Sequence, residues 1–275
     1  MRDMVAGWRR RGHSIGLVPT MGALHDGHLS LVRAALAEND RVVVSIFVNP
    51  LQFAPTEDFA SYPRGIDRDL NALQEQPPAV VFAPTVEAMY PPAASTRVRV
   101  GGLDEVLEGV HRAGHFEGVA TVVSKLFWAV RPDRAYFGQK DAQQVAVVSR
   151  MAADLDTGVD IRVCPIVREP DGLAMSSRNV NLNPQERKSA VVLSRALRAA
   201  NDAHTAGQRD PAQLEGVLRR ILDEEPAAHT DYARVVDPVD FRSPGALAVL
   251  AVRIGQTRLI DNHLLGQSFQ IALPR

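Results

Sequence analysis

The sequence predicts an α/β fold: a doubly wound parallel sheet, followed by a second, smaller α+β domain. Three features of the 275 residues carry that expectation. Strand-like and helix-like periodicities alternate through the first 167 residues. The strand-like runs are apolar almost throughout, as in Arg41 to Val48 (RVVVSIFV), which is the pattern of strands covered on both faces. After Val167 the alternation stops, and two helical stretches precede three strand-like ones.

Each element follows from its own pattern. Ile15 to Val18 is a short apolar run ending at Pro19. Gly27 to Glu38 places Leu29, Val32, Ala35 and Leu36 at helical spacing, and Arg41 to Val48 is the next strand. Asp67 to Gln76 reads as a helix and Ala79 to Ala83 as another buried strand. Gly118 to Val130 puts Val119, Val122, Val123, Leu126, Phe127 and Val130 on one helical face. Arg134 to Phe137 is a strand, Asp141 to Asp154 a helix, and Val159 to Val167 a strand again. Such βα units wind into a Rossmann-like sheet with helices on both faces. A loop, Arg168 to Asn183, leads to a long helix starting near Pro184, a residue favoured at the first helical position. A second helix starts near Pro211. Strands are expected at Tyr232 to Val236, Leu247 to Ile254 and Thr257 to Asp261, the last two joined by a tight turn at Gly255-Gln256. The expected domains are 1–167 and 168–275.

Composition narrows the function classes. Hydrophobic residues make up 45% and charged residues 23%, as in ordinary globular proteins. The formal net charge is −1, so no global basic field draws nucleic acid or an anionic membrane. No apolar run reaches the ~18 residues of a membrane span, and Met1 to Gly12 lacks the apolar core of a secretory leader. The single cysteine, Cys164, excludes an internal disulfide, and its apolar surroundings suggest a small buried hydrophobe. The cytoplasm is the expected compartment.

The first chemistry-bearing string is Pro19-Thr20-Met21-Gly22-Ala23-Leu24-His25-Asp26-Gly27-His28, which leaves the first strand and opens the first helix. Doubly wound sheets bind ligands at the carboxyl ends of their strands, and a helix N-terminus offers free N–H groups and partial positive charge to phosphate. His25 and His28, three apart, can point to one side of the first turn and donate hydrogen bonds to phosphate oxygens. Two surface histidines flanking a turn would look the same in isolation. A zinc site is weaker still, with no third ligand at suitable spacing.

Four more strings follow in order. Ile46 to Phe53 (IFVNPLQF) ends the next strand, and the Gln52 amide either donates and accepts to a hydroxylated acid or caps loop backbone. Tyr62-Pro63-Arg64 precedes Asp67, Arg68 and Asp69, acids suited to Mg²⁺ or to a solvated helix face. Gly114 to Val123 (GHFEGVATVV) is followed by Phe137-Gly138-Gln139-Lys140-Asp141-Ala142-Gln143-Gln144, in which Lys140 is a point charge for phosphate and Asp141 a candidate N-cap. Last, Met175-Ser176-Ser177-Arg178-Asn179 supplies two hydroxyls and a guanidinium, a phosphate clamp.

These strings resemble the H-x-G-H nucleotidyltransferases and, within them, the pantothenate synthetase family, whose hallmark is P-T-M-G-A-L-H-x-G-H. The matches run from residue 15 to 183. The resemblance implies a ligase that uses ATP and Mg²⁺, with pantoate and β-alanine as its other substrates. Pantoate carboxylate would attack the α-phosphorus to give pantoyl adenylate and pyrophosphate. The β-alanine amine would then take the acyl group and release AMP. It further implies ATP contacts from Met21, Gly22, Ala23, Leu24, His25, Asp26, Gly27, His28, Gly138, Gln139, Lys140, Asp141, Val167, Met175, Ser176, Ser177 and Arg178. His25, His28, Lys140 and Arg178 would be catalytic, with Gln52 and Gln144 on pantoate and Asp69 at the metal. A homodimer is implied, with residues 168–275 acting as a lid. The chain departs from the family's pattern at Arg68, where some relatives have a further acid, and at Ala142, where many have an aromatic. No G-x-x-x-x-G-K-[ST] or G-x-G-x-x-G string supports a kinase or a dehydrogenase. Two rivals stand beside this reading: a nucleotidyltransferase that stops after moving AMP or CMP onto a phosphate ester, and a non-catalytic nucleotide sensor.

Overall fold

The computed structural model describes residues 1–54, 59–60 and 62–268. The chain forms two compact units, Met1–Gly138 with Gln143–Cys164, and Gln139–Ala142 with the chain from Pro165 onward.

In the first unit, α1 (Arg2–Arg10) precedes β1 (Ile15–Thr20), α2 (Asp26–Glu38), β2 (Arg41–Ile46), α3 (Ile66–Ala72), β3 (Val80–Phe82), α4 (Val86–Met89), α5 (Glu108–His111), α6 (His115–Val130), β4 (Arg134–Gly138), α7 (Ala142–Asp154) and β5 (Asp160–Cys164). The sheet runs β3-β2-β1-β4-β5 with every pairing parallel, so the doubly wound expectation holds. The strand order reverses between β1 and β4, the place where ligands enter such folds.

The central strands are buried as their sequences demand. Val18, Val42, Val44 and Tyr136 pack under Leu31, Val32 and Ala35 of α2, while Ile15, Leu17, Val43 and Ala135 are buried on the other side. The edges depart from expectation. β3 is three residues long and only half-buried, and β5 is largely exposed, with Val163 51% exposed, because each lacks a neighbour on one side. Cys164 is buried, and burial followed by the nearby Glu38 charge pushes its thiol pKa up. α6 is buried over most of its circumference rather than on one face. Gly118 explains its close approach: a Cβ there would lie 2.3 Å from the Leu51 carbonyl oxygen. Arg9, at the exposed end of α1, donates to Asp133 at 2.6 Å.

The second unit holds α8 (Pro184–Ser189), α9 (Val192–Thr205), α10 (Pro211–Asp223), β6 (Ala228–Val236), β7 (Leu247–Ile254) and β8 (Thr257–Leu264). The long helix expected from Pro184 is thus two. Asn183 caps the first, its side chain accepting from the Gln185 and Glu186 amides, with Pro184 at the first position. Leu214, Leu218 and Leu222 form the i, i+4 stripe by which α10 joins Leu193 and Leu197 of α9 over the antiparallel sheet β6-β7-β8. Gly255-Gln256 is the tight turn between β7 and β8, with Ile254 opposite Thr257. β8 continues three residues past the expected end at Asp261.

Candidate active site

The histidine loop is built by local rules. β1 ends at Thr20, whose hydroxyl oxygen accepts from the Gly22 amide at 3.2 Å. Gly22 (φ 81°) and Ala23 (φ 51°) both turn through positive φ. For Ala23 that conformation costs about 1–2 kcal/mol, so something must hold it. Asp69 of α3 does: its two oxygens accept from the Ala23 amide at 3.1 Å and the Leu24 amide at 2.8 Å. The chain then reaches His25, the N-cap of α2.

His25 and His28 cap the helix together. His25 Nδ1 accepts from the Gly27 amide at 3.2 Å, and His28 Nδ1 accepts from the His25 amide at 3.4 Å. Each bond requires a bare Nδ1, so each neutral ring carries its hydrogen on Nε2. The ring centroids lie 4.1 Å apart. The pair therefore presents two neighbouring N–H donors, the arrangement that suits charge building on phosphate oxygens.

Gln52 joins the same loop. It closes a 3-10 turn, Pro50–Gln52, and is buried. Its Nε2 lies 2.8 Å from Met21 Sδ, and its Oε1 accepts from Asn49 Nδ2 at 3.1 Å. Asn49 also donates to the Gly118 carbonyl and accepts from the Tyr90 hydroxyl. Burial pushes the Tyr90 pKa up to about 12, which keeps that hydroxyl a donor. The Gln52 carbonyl accepts from His115 Nδ1 at 2.8 Å, and Arg112 lies 3.0 Å from the other ring nitrogen. Sequence reading assigned none of this support to Asn49, Arg112 or His115, although all three stand in or beside the quoted strings.

Two neighbouring glutamines differ in burial. Gln143 is buried, accepts from the Glu108 amide and donates to the Leu103 and Val106 carbonyls, so it fastens the segment before α5. Gln144, the expected pantoate contact, is half-buried on the first turn of α7. Gly138 ends β4, whose carboxyl end lies at the same edge of the parallel sheet as that of β1.

Asp69 does not fit the metal expected there. It is 2% exposed, and each oxygen is engaged by a loop amide. Among the described residues no group of three or more His, Cys, Asp or Glu could hold a metal ion.

The remaining site residues belong to the second unit, by itself a connected system. Gln139, Lys140 and Asp141 form a 3-10 turn, with the Asp141 carboxylate 3.7 Å from Lys140 Nζ. Asn262 Nδ2 donates to the Gln139 and Lys140 carbonyls, both at 2.9 Å. Beside it, Asp261 pairs with Arg168 through two bonds of 2.6 and 3.0 Å, with both side chains buried. Arg168 Nη1 also donates to the Gly172 carbonyl, and the Met175 amide donates to the Val167 carbonyl, which closes the loop between them. Ser176 caps the 3-10 turn Ser177–Asn181 by accepting from the Arg178 amide at 3.2 Å. Asn262 and Asp261 were missed because no local motif announces them; the one signal is an acid–amide pair directly after the apolar Leu259-Ile260.

A five-stranded parallel sheet with a histidine-capped helix at its switch point places the first unit in the doubly wound α/β class. The pantoate-beta-alanine ligase family profile matches residues 1–264. The chain is 58% identical over 257 residues to a pantothenate synthetase of Roseiflexus castenholzii, covering 92% of each chain. It is 58% identical over 260 residues to one from Acidobacterium capsulatum, covering 93% of this chain and 87% of that one. The crystal structure of pantothenate synthetase from Thermus thermophilus superposes with a TM-score of 0.90 at 47% identity, covering 95% of this chain and 97% of that one. A pantoate-beta-alanine ligase from Francisella tularensis, complexed with a beta-gamma ATP and beta-alanine, superposes at 0.81 and 34% identity, covering 98% and 97%. This chain belongs to the pantoate-beta-alanine ligase family.

Proposed function

We propose that the chain catalyses ATP-dependent condensation of pantoate with β-alanine to pantothenate through a pantoyl-adenylate intermediate. The observation that carries this reading is the histidine pair, whose Nδ1 atoms are bound by helix amides and whose Nε2–H groups are thereby set as donors. In the first step a pantoate carboxylate oxygen bonds to the α-phosphorus and the bond to the pyrophosphate oxygen breaks. His25 and His28 stabilise the charge that moves onto the phosphate oxygens. Lys140, Ser176, Ser177 and Arg178 neutralise the polyphosphate, while Val167 and Met175 lie against the adenine. Gln52 and Gln144 hold pantoate. In the second step the free amine of β-alanine bonds to the acyl carbon, AMP leaves with the electron pair, and the amine's proton passes to solvent. No protein nucleophile is needed; correct placement alone is worth about 7–11 kcal/mol. ATP arrives with Mg²⁺, which on this reading is carried by phosphate oxygens and water rather than by a protein cage.

The enzyme works in the cytoplasm, in keeping with its lone buried thiol. It forms a homodimer, for which β5 offers an exposed edge strand with Val163 among its exposed residues.

AMP release followed with pantoate and β-alanine supplied or withheld in turn tests the reaction. Pantoate alone should support ATP–pyrophosphate exchange, and sustained AMP release should need both substrates. AMP transfer that ignores β-alanine would favour the phosphate-ester transferase. Nucleotide binding without exchange would favour the sensor. His28→Ala should lower pyrophosphate release by at least about tenfold under saturating substrates, and a smaller loss would remove the ring from the chemistry.

A further inference from the structure

We infer that Asp69 is a positioning residue for the adenylation step, and that it holds the histidine loop rather than a metal ion. The inference rests on the reading of His25 and His28 given above. Gly22 and Ala23 are consecutive residues at positive φ, and the amides of Ala23 and Leu24 converge on one carboxylate. Backbone arranged this way makes a small concave anion site. Here the anion is the protein's own side chain, delivered from α3. The fit is close: a Cβ on Gly22 would stand 2.8 Å from Asp69 Oδ2, so glycine at this position makes room for the carboxylate.

The consequence reaches the rings through the backbone. Leu24 is the residue before the N-cap, and the His25 amide is the group that His28 Nδ1 accepts from. A loop that loses its grip at Ala23 and Leu24 leaves both rings free to change orientation and tautomer. Asp69 itself is 2% exposed and touches the loop, so it acts on substrate only through the histidines.

Asp69→Asn is nearly isosteric and keeps one acceptor, but sets an amide N–H₂ against a loop N–H. Two readouts are needed. The first is the ¹⁵N spectrum of the imidazoles in the ligand-free protein, assigned with His25→Gln and His28→Gln. The wild type should show both rings with hydrogen on Nε2, and the variant should show mixed tautomers. The second is pantoate-dependent ATP–pyrophosphate exchange as a function of Mg²⁺. Exchange kcat should fall at least about tenfold while the KM for ATP and the half-saturating Mg²⁺ stay within about twofold. Gly22→Ala presses on the same contact with Asp69 intact and should give the same spectral change and a fall in kcat. Unchanged ring spectra in both variants would overturn the inference. So would a several-fold rise in the Mg²⁺ required, with activity restored by excess Mg²⁺, since that is the behaviour of a lost metal ligand. If the wild type shows no pantoate-dependent exchange, the proposed reaction fails on its own baseline, while the ring spectra still decide the role of Asp69.

Discussion

Gly118 shows how a single missing side chain sets part of the site. Its helix lies directly on the backbone of the turn that carries Gln52, and the Asn49 amide ties that turn to the Gly118 carbonyl. Gly118→Ala would drive a methyl group into the Leu51 carbonyl, a backbone atom that cannot swing aside. We expect a loss of about 1–3 kcal/mol in urea unfolding, from overpacking. We also expect a higher KM for pantoate, because the turn that must move is the one presenting Gln52. A change in stability with pantoate kinetics untouched would separate Gln52 from substrate. At this scale much of the histidine loop was legible, because the pair, the glycines and the helix start sit within ten contiguous residues. The partners of those residues were not. Asp69 lies 46 residues from the amide it binds, and the burial of Gln143 but not Gln144 depends on which side of α7 each faces.

β8 is the element where sequence and structure part most usefully. Asp261-Asn262-His263 looks like the polar end of a strand, so the expected strand stops at Asp261. In the structure all three are buried, and the strand runs on to Leu264 because each polar group has a partner. Periodicity reads burial from apolarity and misses a strand whose buried residues are satisfied polar ones. Strands with apolar interiors were read well: β7 occupies the expected Leu247–Ile254. Asn262 carries a kinetic expectation. Asn262→Ala removes both donors from the lysine-bearing turn and should lower kcat/KM for ATP by about tenfold, or 1.4 kcal/mol. Asn262→Asp, which sets a carboxylate against two carbonyl oxygens, should be worse than alanine. Equal activity in all three proteins, measured at subsaturating ATP, would show that the turn keeps its shape unaided.

At the scale of the molecule, the alternation of strand and helix made the doubly wound sheet legible, while strand order and edge exposure were not, since they depend on which strands are neighbours. Charge offers no long-range steering, with a formal net of −1. No helix among the described residues is long and apolar enough to cross a membrane. The proposed homodimer has a direct measure: light scattering should return about twice the 30.0 kDa of one chain, and the mass of a single chain would refute it.

The division of the chain is not a simple cut. The tetrapeptide 139–142 leaves the first unit and groups with the second, before the chain returns at residue 143. A gene split between Cys164 and Pro165, as in a two-fragment reporter, would encode Lys140 on one polypeptide and Asn262, which grips it, on the other. The first fragment would carry the turn without the Asn262 donor and the second the donor without the turn, so recovered activity would report reunion of the halves and not the folding of either one.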